Sequence, residues 1–295
     1  NTRSRGLGDV YKRQILKMEI KDFVRLSIEE DVKLGDHSTL SCIPKNKLGS
    51  AKLLIKENGI ISGIEVVKEI FKTYDNSIEF IANLKDGEKV KIGDIAFTVN
   101  GSSRTLLTIE RLVLNVMQRM SAISTLTDKF VQELKGFNTK VLDTRKTTPL
   151  NRFLEKQAVK IGGGHNHRFG LYDMIMLKDN HIDFAGGIKE AIIKANNYID
   201  TENLNLKIEI ETRNLQELKE VLKYGGVDRI MLDNFSFEDL KLGVELINGK
   251  FETEASGGID LKTIKNYALC GVDYISVGAL THSVKNMDLS LKAIK

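Results

Sequence analysis

Cysteine is nearly absent. The 295 residues hold two, Cys42 and Cys270, far apart and with no C-x-x-C spacing. That excludes a disulfide framework and a cysteine-based zinc site, and it fits a reducing, cytoplasmic setting. Both are expected to be small core residues rather than reactive thiols. No apolar run approaches the roughly 18 residues of a membrane-spanning helix, and the first residues do not read as a signal peptide, so no membrane partner is expected. Charge of one sign is scarce too. The net charge is +4, yet in the opening NTRSRGLGDVYKRQ, Arg3, Arg5, Lys12 and Arg13 against Asp9 supply three of those four charges. The remainder is close to neutral and gives no basis for a nucleic-acid partner. The opening has little apolar periodicity and resembles translated adapter sequence. Residues 1–17 are set apart as a non-native leader, with Met18 as the natural start. Also missing are a P-loop, a dinucleotide fingerprint, a nucleophile elbow and a Ser-His-Asp order.

What is present falls into two parts. From Met18 to about Gly101 the pattern is mixed. KDFVRLSIEEDV has helical spacing, with Phe23, Leu26 and Val32 on its apolar side. SAKLLIKENGIISG, NSIEFIANLKDGEKV and DIAFTVNG read as strands, punctuated by the turn dipeptides Asn58-Gly59, Asp86-Gly87 and Asn100-Gly101. KDGEKVKIGDIAFTVNG looks like half of a lipoyl-type or biotinyl-type module, but no lysine stands at a hairpin tip to carry a group. A long helix follows, with Ile109, Leu112, Val113, Val116, Met117 and Met120 on one apolar face and Arg111 off it. Beyond Gly136 short apolar runs alternate with helical segments: KVLDT, VKIGG, MIMLK, LKIEIE, DRIMLDN, FETEASG and DYISVGA. Such βαβ rhythm means a parallel sheet, here an α/β barrel of about six or seven strands, fewer than the usual eight.

Polar residues recur where these runs end. Thr144, Arg145 and Lys146 follow the first, and Lys178 follows MIML. Glu211, Asp233, Ser256 and Gly278 then succeed one another about 22 residues apart, one βα unit per step. In α/β barrels that end of the strands carries the active site. Gly257 and Gly258 allow close backbone approach to an anion, and glycine turns after the last strands are where barrels place a phosphate. The loop GGGHNHRFG brings His165, His167 and Arg168. Its histidines are two apart, unlike a helical zinc pair, so carboxylate or phosphate binding suits it better than a metal. A rim of cations with two acids describes a site for anionic substrates with room for Mg²⁺, which Glu211 and Asp233 could bind together with substrate phosphates.

The runs LDTRKTTPLNRFLEKQAV, GGGHNHRFGLYDMIMLKDNHI, IEIETRNLQEL, IMLDN, EASGGI and GVDYISVGALTHS resemble those of quinolinate phosphoribosyltransferases, the decarboxylating nicotinate-nucleotide pyrophosphorylases. EDVKLGDHST and ERLVLNVMQRMSAIST match the family's N-terminal domain, and the likeness extends from Ile20 to Leu291. Two positions depart from the family pattern. Ala122 stands where glycine is usual, and Leu150-Asn151 replaces a common Gly-Leu or Gly-Phe. The resemblance implies an α/β fold. An N-terminal α+β open sandwich over 18–122 precedes an incomplete, TIM-like barrel over 123–280, and 281–295 packs back on the first domain. It implies quinolinate and phosphoribosyl pyrophosphate as substrates, Mg²⁺ as cofactor, and a homodimer, or a hexamer of dimers, with shared active sites. The implied quinolinate pocket holds Thr144, Arg145, His167, Arg168 and Lys178, with Arg111 supplied by the neighbouring subunit. The implied donor site holds Lys146, Glu211, Asp233, Ser256, Gly257, Gly258, Val277, Gly278, Ala279 and His282. Lys146, Lys178, Glu211 and Asp233 are the implied catalytic groups, and the two acids would hold the metal directly or through other ligands.

Three other readings stay open at this point. One is a transferase for a pyridine monocarboxylate such as nicotinate, a second is a barrel isomerase or aldolase acting on a sugar phosphate, and a third is a non-catalytic binding protein. The number of basic groups favours a dicarboxylate.

Overall fold

The computed structural model describes residues 20–294; the expected leader and Met18 lie outside them. The chain divides into two compact units. One takes the described residues up to Thr125, together with Pro149–Gly162 and those from Val284 on; the other takes Leu126–Thr148 and Gly163–Ser283. This differs from boundaries at 122 and 280, because the segment after β6 detours through the first unit before the second resumes.

The first unit contains helix α1 (20–32), α2 (His37–Cys42), β1 (Leu48–Ile55), β2 (Gly59–Ile60), α3 (Ile64–Tyr74), β3 (Glu79–Ala82), β4 (Lys89–Val90), β5 (Ile95–Ser102) and the start of α4 (Ser103–Glu133). To these it adds α5 (Arg152–Ile161) and β12 (Leu289–Ile294). Its main sheet runs β12-β1-β5-β3 and is antiparallel throughout. Period-two alternation puts Ala51, Leu53 and Ile55 of β1 on the buried face. Phe71 of α3 meets Phe97 of β5, ring centroids 6.2 Å apart, and Phe80 closes the cluster at 4.7 Å from Phe97. The chain's end thus returns to this unit as an edge strand, with Leu291 opposite Leu53. On α4 the expected face is buried at Ile109, Val113, Val116, Met117 and Met120.

Several local expectations are corrected. Leu26 is half exposed, and Ile20 and Val24 carry the buried side of α1 instead. Asn100-Gly101 is no turn: both residues lie inside β5, opposite Ser50 and Gly49. Cys42 is exposed at the end of α2, where its thiol donates to the Ser38 carbonyl, and Cys270 is half buried. Both are free thiols rather than core residues. VKIGG is not a strand, because it closes α5 and runs into the glycine turn at Gly162 and Gly163.

The second unit is built on six parallel strands: β6 (Lys140–Leu142), β7 (Ile175–Leu177), β8 (Ile208–Thr212), β9 (Arg229–Asp233), β10 (Glu252–Ser256) and β11 (Tyr274–Ser276). They lie in the order β6-β11-β10-β9-β8-β7. Each of β7 to β10 neighbours its successor, and β11 is joined by β6, the winding of a barrel left open between β6 and β7. Between successive strands run α6 (Asp179–Ala185), α7 (Ile188–Thr201), α8 (Leu215–Tyr224), α9 (Phe237–Ile247) and α10 (Ile264–Leu269), and α11 (Ala279–His282) follows β11. At the open side His165 makes a parallel bridge to Leu142, a partial seventh strand. Among the described residues no helix is long and apolar enough to cross a membrane.

Leu150 explains one departure from the family pattern. It is 86% exposed and sits at φ +64°, a left-handed conformation that a side chain makes costly by about 1–2 kcal/mol and that glycine adopts freely. Leu150→Gly relieves that strain and loses no burial, while it loosens the unfolded chain. The net expectation is a gain of about 0.5–1 kcal/mol in unfolding free energy, measured by urea denaturation. A loss of stability would refute the strain argument.

Candidate active site

The inward faces of β8, β9 and β10 can be read from register alone. Side chains alternate along a strand, and parallel partners in register share a face. Glu209 pairs with Arg229, and Arg229 with Glu252. One layer up, Glu211 pairs with Met231 and Met231 with Glu254; above that, Asp233 pairs with Ser256. The other face of β8 carries Ile208 and Ile210, both buried. The strand is therefore apolar on the outside and acidic within, and its upper layers form the floor of a cavity of about 790 Å³. Thr144, Arg145, Lys146, His167, Arg168, Lys178, Glu211, Asp233, Ser256, Gly257, Gly258, Gly278, Ala279 and His282 all line it.

Each floor acid has a partner. Lys178 caps the start of α6, where its backbone N–H donates to His181 Nδ1, and its Nζ lies 3.0 Å from Glu211 Oε2. Asp233 accepts from the Ser256 hydroxyl and, at 2.7 Å, from Asn234 Nδ2. Glu211 lies within β8 rather than after it, and its register opposite Met231 sets it one layer below Asp233. The glycine turns make room. Gly257 sits at φ +101° and Gly258 at φ +61°, and a Cβ on Gly257 would collide with the Asn234 side chain. A Cβ on Gly278 would stand 3.0 Å from the His282 ring and 3.1 Å from Lys146 Cδ, so that glycine lets the two basic side chains close over the turn. Thr281 ties the turn to the end of β6 by donating to the Lys146 carbonyl at 2.8 Å.

The loop with Arg168 is pinned to β6. The His165 N–H donates to the Val141 carbonyl (2.8 Å) and the Asp143 N–H to the His165 carbonyl (3.1 Å). Buried Asp143 accepts from the His167 N–H at 2.8 Å and from the Asn166 side chain. His167 is itself buried, with Nε2 3.0 Å from Glu209 and 3.4 Å from Glu254. Burial opposes charge on this ring, but the two glutamates outweigh it and lift its pKa to about 9. With the Arg168 N–H donating to Nδ1 at 2.7 Å, the geometry is that of the neutral ring with its hydrogen on Nε2, facing the carboxylates, and this contact works against the upward pull of the glutamates. Glu209 is raised by its own burial and by Glu254, whereas His167 and Arg229 outweigh burial at Glu254 and lower it. Burial and the neighbouring charge of Arg145 depress the Arg168 guanidinium, and Arg145 Nε is buried without a hydrogen-bond partner. Two guanidinia held side by side, one with an unused donor, form a receptor for an anion.

Sequence comparison decides the lineage of this arrangement. Residues 123–292 match the profile of the quinolinate phosphoribosyl transferase C-terminal domain, and residues 36–121 match that of its N-terminal domain. The chain belongs to the quinolinate phosphoribosyltransferase family. Among relatives of this family, quinolinate phosphoribosyltransferase (decarboxylating) 2b, mitochondrial, of Nicotiana tabacum is 43% identical over 289 residues, covering 93% of this chain and 82% of that protein. A probable nicotinate-nucleotide pyrophosphorylase (carboxylating) of Bacillus subtilis is 40% identical over 274 residues, covering 93% of each. The crystal structure of NadC from Streptococcus pyogenes superposes with a TM-score of 0.88 at 39% identity, covering 94% of this chain and 98% of that one.

Two residues expected in a quinolinate phosphoribosyltransferase site are not in the cavity lining. Val277 is 1% exposed, buried with its strand's apolar side. Arg111 stands exposed on α4 in the first unit, where it lines a separate cleft with Phe23, Asn115 and Arg119. Sequence reasoning missed Asp143, Asn166, Glu209, Arg229, Asn234 and Glu254. The signal for the glutamates was present: IEIE and ETEA put two acids at i and i+2 inside strands otherwise read as buried, and such acids share the inner face. Gly257→Ala is expected to lose about 1–3 kcal/mol of stability, because a side chain there is strained in φ and strikes Asn234. Thermal unfolding of the purified variant measures it, and an unchanged midpoint would show that the turn has slack.

Proposed function

We propose that the protein transfers the phosphoribosyl group of phosphoribosyl pyrophosphate to quinolinate and releases carbon dioxide, giving nicotinate mononucleotide and pyrophosphate. The observation that carries this reading is the pair Arg145 and Arg168, close enough that the charge of Arg145 adds to burial in depressing the Arg168 guanidinium, with Arg145 Nε unpaired. Two planar forks suit two carboxylates on one ring. Thr144 and His167 complete that pocket and Lys178 borders it. Lys146, His282 and the turns at Ser256–Gly258 and Gly278–Ala279 receive the donor's phosphates on ammonium, imidazole and backbone N–H groups.

The chemistry follows from this placement. The pyridine nitrogen forms a bond to the ribose anomeric carbon as the bond to pyrophosphate breaks, and that electron pair leaves with pyrophosphate. The ribose carbon is cation-like in between, and Glu211 and Asp233 supply a stabilising negative field and acceptors for the ribose hydroxyls. Once the nitrogen is quaternary, the adjacent carbon–carboxylate bond breaks, its electron pair stays on the ring carbon next to N⁺, and solvent delivers a proton there. Arg145 and Arg168 hold both carboxylates until that bond breaks; one carboxylate then departs as carbon dioxide, the other stays held, and no general base is needed. The donor set also suits Mg²⁺, which prefers one or two carboxylates completed by substrate phosphates. Glu211 and Asp233 are that pair, and the ion would neutralise the departing pyrophosphate. Both acids already have protein partners, which fits an ion arriving with the donor rather than one caged by the protein.

Nicotinate mononucleotide and carbon dioxide are expected only when quinolinate, donor and Mg²⁺ are present together; equal turnover of nicotinate would overturn the decarboxylating reaction. Arg145→Lys keeps the charge but loses the fork, and should lower kcat/KM by about 2 kcal/mol of transition-state stabilisation. A variant within twofold of the unmodified enzyme would make Arg145 a bystander.

The same reading places the enzyme in the cytoplasm, which its free thiols suit. It also makes it a homodimer, or a hexamer of dimers, in which exposed Arg111 completes the partner's pocket. Reciprocal exchange is the natural outcome of two-fold symmetry. Arg111→Ala and Lys178→Ala should each be inactive. Mixed by co-expression, about half the dimers pair one of each, and one site of each mixed dimer is intact, so roughly a quarter of full activity should return. Persistent inactivity with mixed dimers demonstrably formed would place Arg111 outside the site.

A further inference from the structure

At the cavity floor, where Glu254 is part of the lining, and just beneath it lies a charged cluster that the reaction, as described, does not use. Glu209 and Glu254 are fully buried, and both direct a carboxylate oxygen at His167 Nε2, 3.0 and 3.4 Å away. Arg229 reaches the same two acids from the next strand, 2.9 Å from Glu254 and 3.7 Å from Glu209. We infer that Glu209 and Glu254 are positioning residues for the pyridine dicarboxylate, acting through His167.

The argument is one of separate grips. Asp143 holds the backbone of His167, and the bridge at His165 holds the loop to β6. Neither fixes the ring. The ring is fixed from below, through Nε2 by the glutamates, and from its other nitrogen by the Arg168 N–H on Nδ1. The imidazole therefore links two buried acids to the backbone of an arginine that grips the substrate. A ring free to turn would release that N–H and let Arg168 shift. Arg229 supplies the charge that makes two adjacent buried carboxylates tolerable. Its guanidinium is in turn held by Glu252 and stacked on Tyr274, 4.0 Å from the ring centroid.

The three ligand atoms of His167, Glu209 and Glu254 lie within 4.8 Å of one another, a spacing that would also suit a metal ion. Arg229 argues against one, because it already provides a cation at both carboxylates.

The inference rests on the reaction proposed above, and the test separates the two. Glu209→Gln and Glu254→Gln are made singly, each alone and combined with His167→Ala, in the full chain. Each single variant is expected to raise KM for quinolinate about tenfold, the scale of one close buried charge contact, with KM for phosphoribosyl pyrophosphate within twofold. In the His167→Ala background neither should add more than twofold, because the partner they act through is gone. Unchanged quinolinate KM, or effects that multiply in full without His167, overturns the inference. A merely structural role would lower the thermal midpoint and disturb both KM values together. Should the variants not fold, ¹⁵N-histidine spectra of the unmodified protein decide: hydrogen on Nε2 of His167, protected from exchange, supports the inference, and a bare or metal-bound Nε2 overturns it. An unmodified enzyme that forms no mononucleotide defeats the reaction instead.

Discussion

Each acid that β8, β9 and β10 turn toward the interior of the second unit must meet a cation or a hydrogen-bond donor there, since water does not serve the lower layers. Leaving one such charge unmatched costs about 3–5 kcal/mol, a large part of a domain's net stability. The partners are arranged by layer. Arg229 and His167 serve Glu209 in the lowest layer and Glu254 in the middle one; Lys178 serves Glu211 in that same middle layer; Ser256 and Asn234 serve Asp233 at the top. Apart from Arg229, which begins β9, these partners come from the end of a strand or from a loop at that end. Satisfying the acids therefore places the loops, and the loops carry the binding groups.

Cations left over after this pairing line the cavity. Arg145 and Lys146 are consecutive yet serve different ends. Lys146 lies along Gly278 beside His282, while Arg145 is coupled to Arg168. In the proposed reaction one short segment after β6 thus contributes to both halves, the phosphates on one side and the carboxylates on the other. The sheet order makes this possible, because β6 pairs with β11 and so stands beside the final glycine turn.

The architecture and most of the rim were legible because they follow from period and phase. A repeat of about 22 residues, ending each time on a polar residue, located Glu211, Asp233, Ser256 and Gly278 before any coordinates. The resemblance added Arg111, which periodicity alone makes an ordinary surface arginine. What escaped has physical reasons. VKIGG has the apolar density of a short buried strand, and only tertiary packing makes it the end of α5. Asn100-Gly101 carries turn chemistry, but β5 runs on in register with β1 for two more residues. Asp143 is sandwiched in LDT, where an acid after a strand looks like any cap. Its role appears only when His167, 24 residues on, is folded back against it. Glu209 and Glu254 sit inside runs whose apolar density hides them, although two acids at alternate positions in a buried strand need a buried cation somewhere.

The gap in the barrel and the placement of Arg168 are one matter. An open edge at β6 would expose unpaired N–H and C=O groups, a site for unwanted strand pairing. Residues 163–168 occupy that edge: the His165 N–H and C=O complete two rungs with β6, and Asp143 adds two side-chain acceptors just above them. A segment that covers a sheet edge this way is held by ladder hydrogen bonds rather than by loop packing, so its backbone is as fixed as a strand's. Arg168 follows directly after it, and its own N–H is the last one secured, on His167 Nδ1. The guanidinium therefore projects from a rigid mount, with one further tie to the Met174 carbonyl at 3.3 Å. Binding two carboxylates at a set separation requires such rigidity, because a fork that moves by 1 Å loses the second of its paired hydrogen bonds. An eighth strand closing the barrel here would have left no room for this loop between β6 and β7.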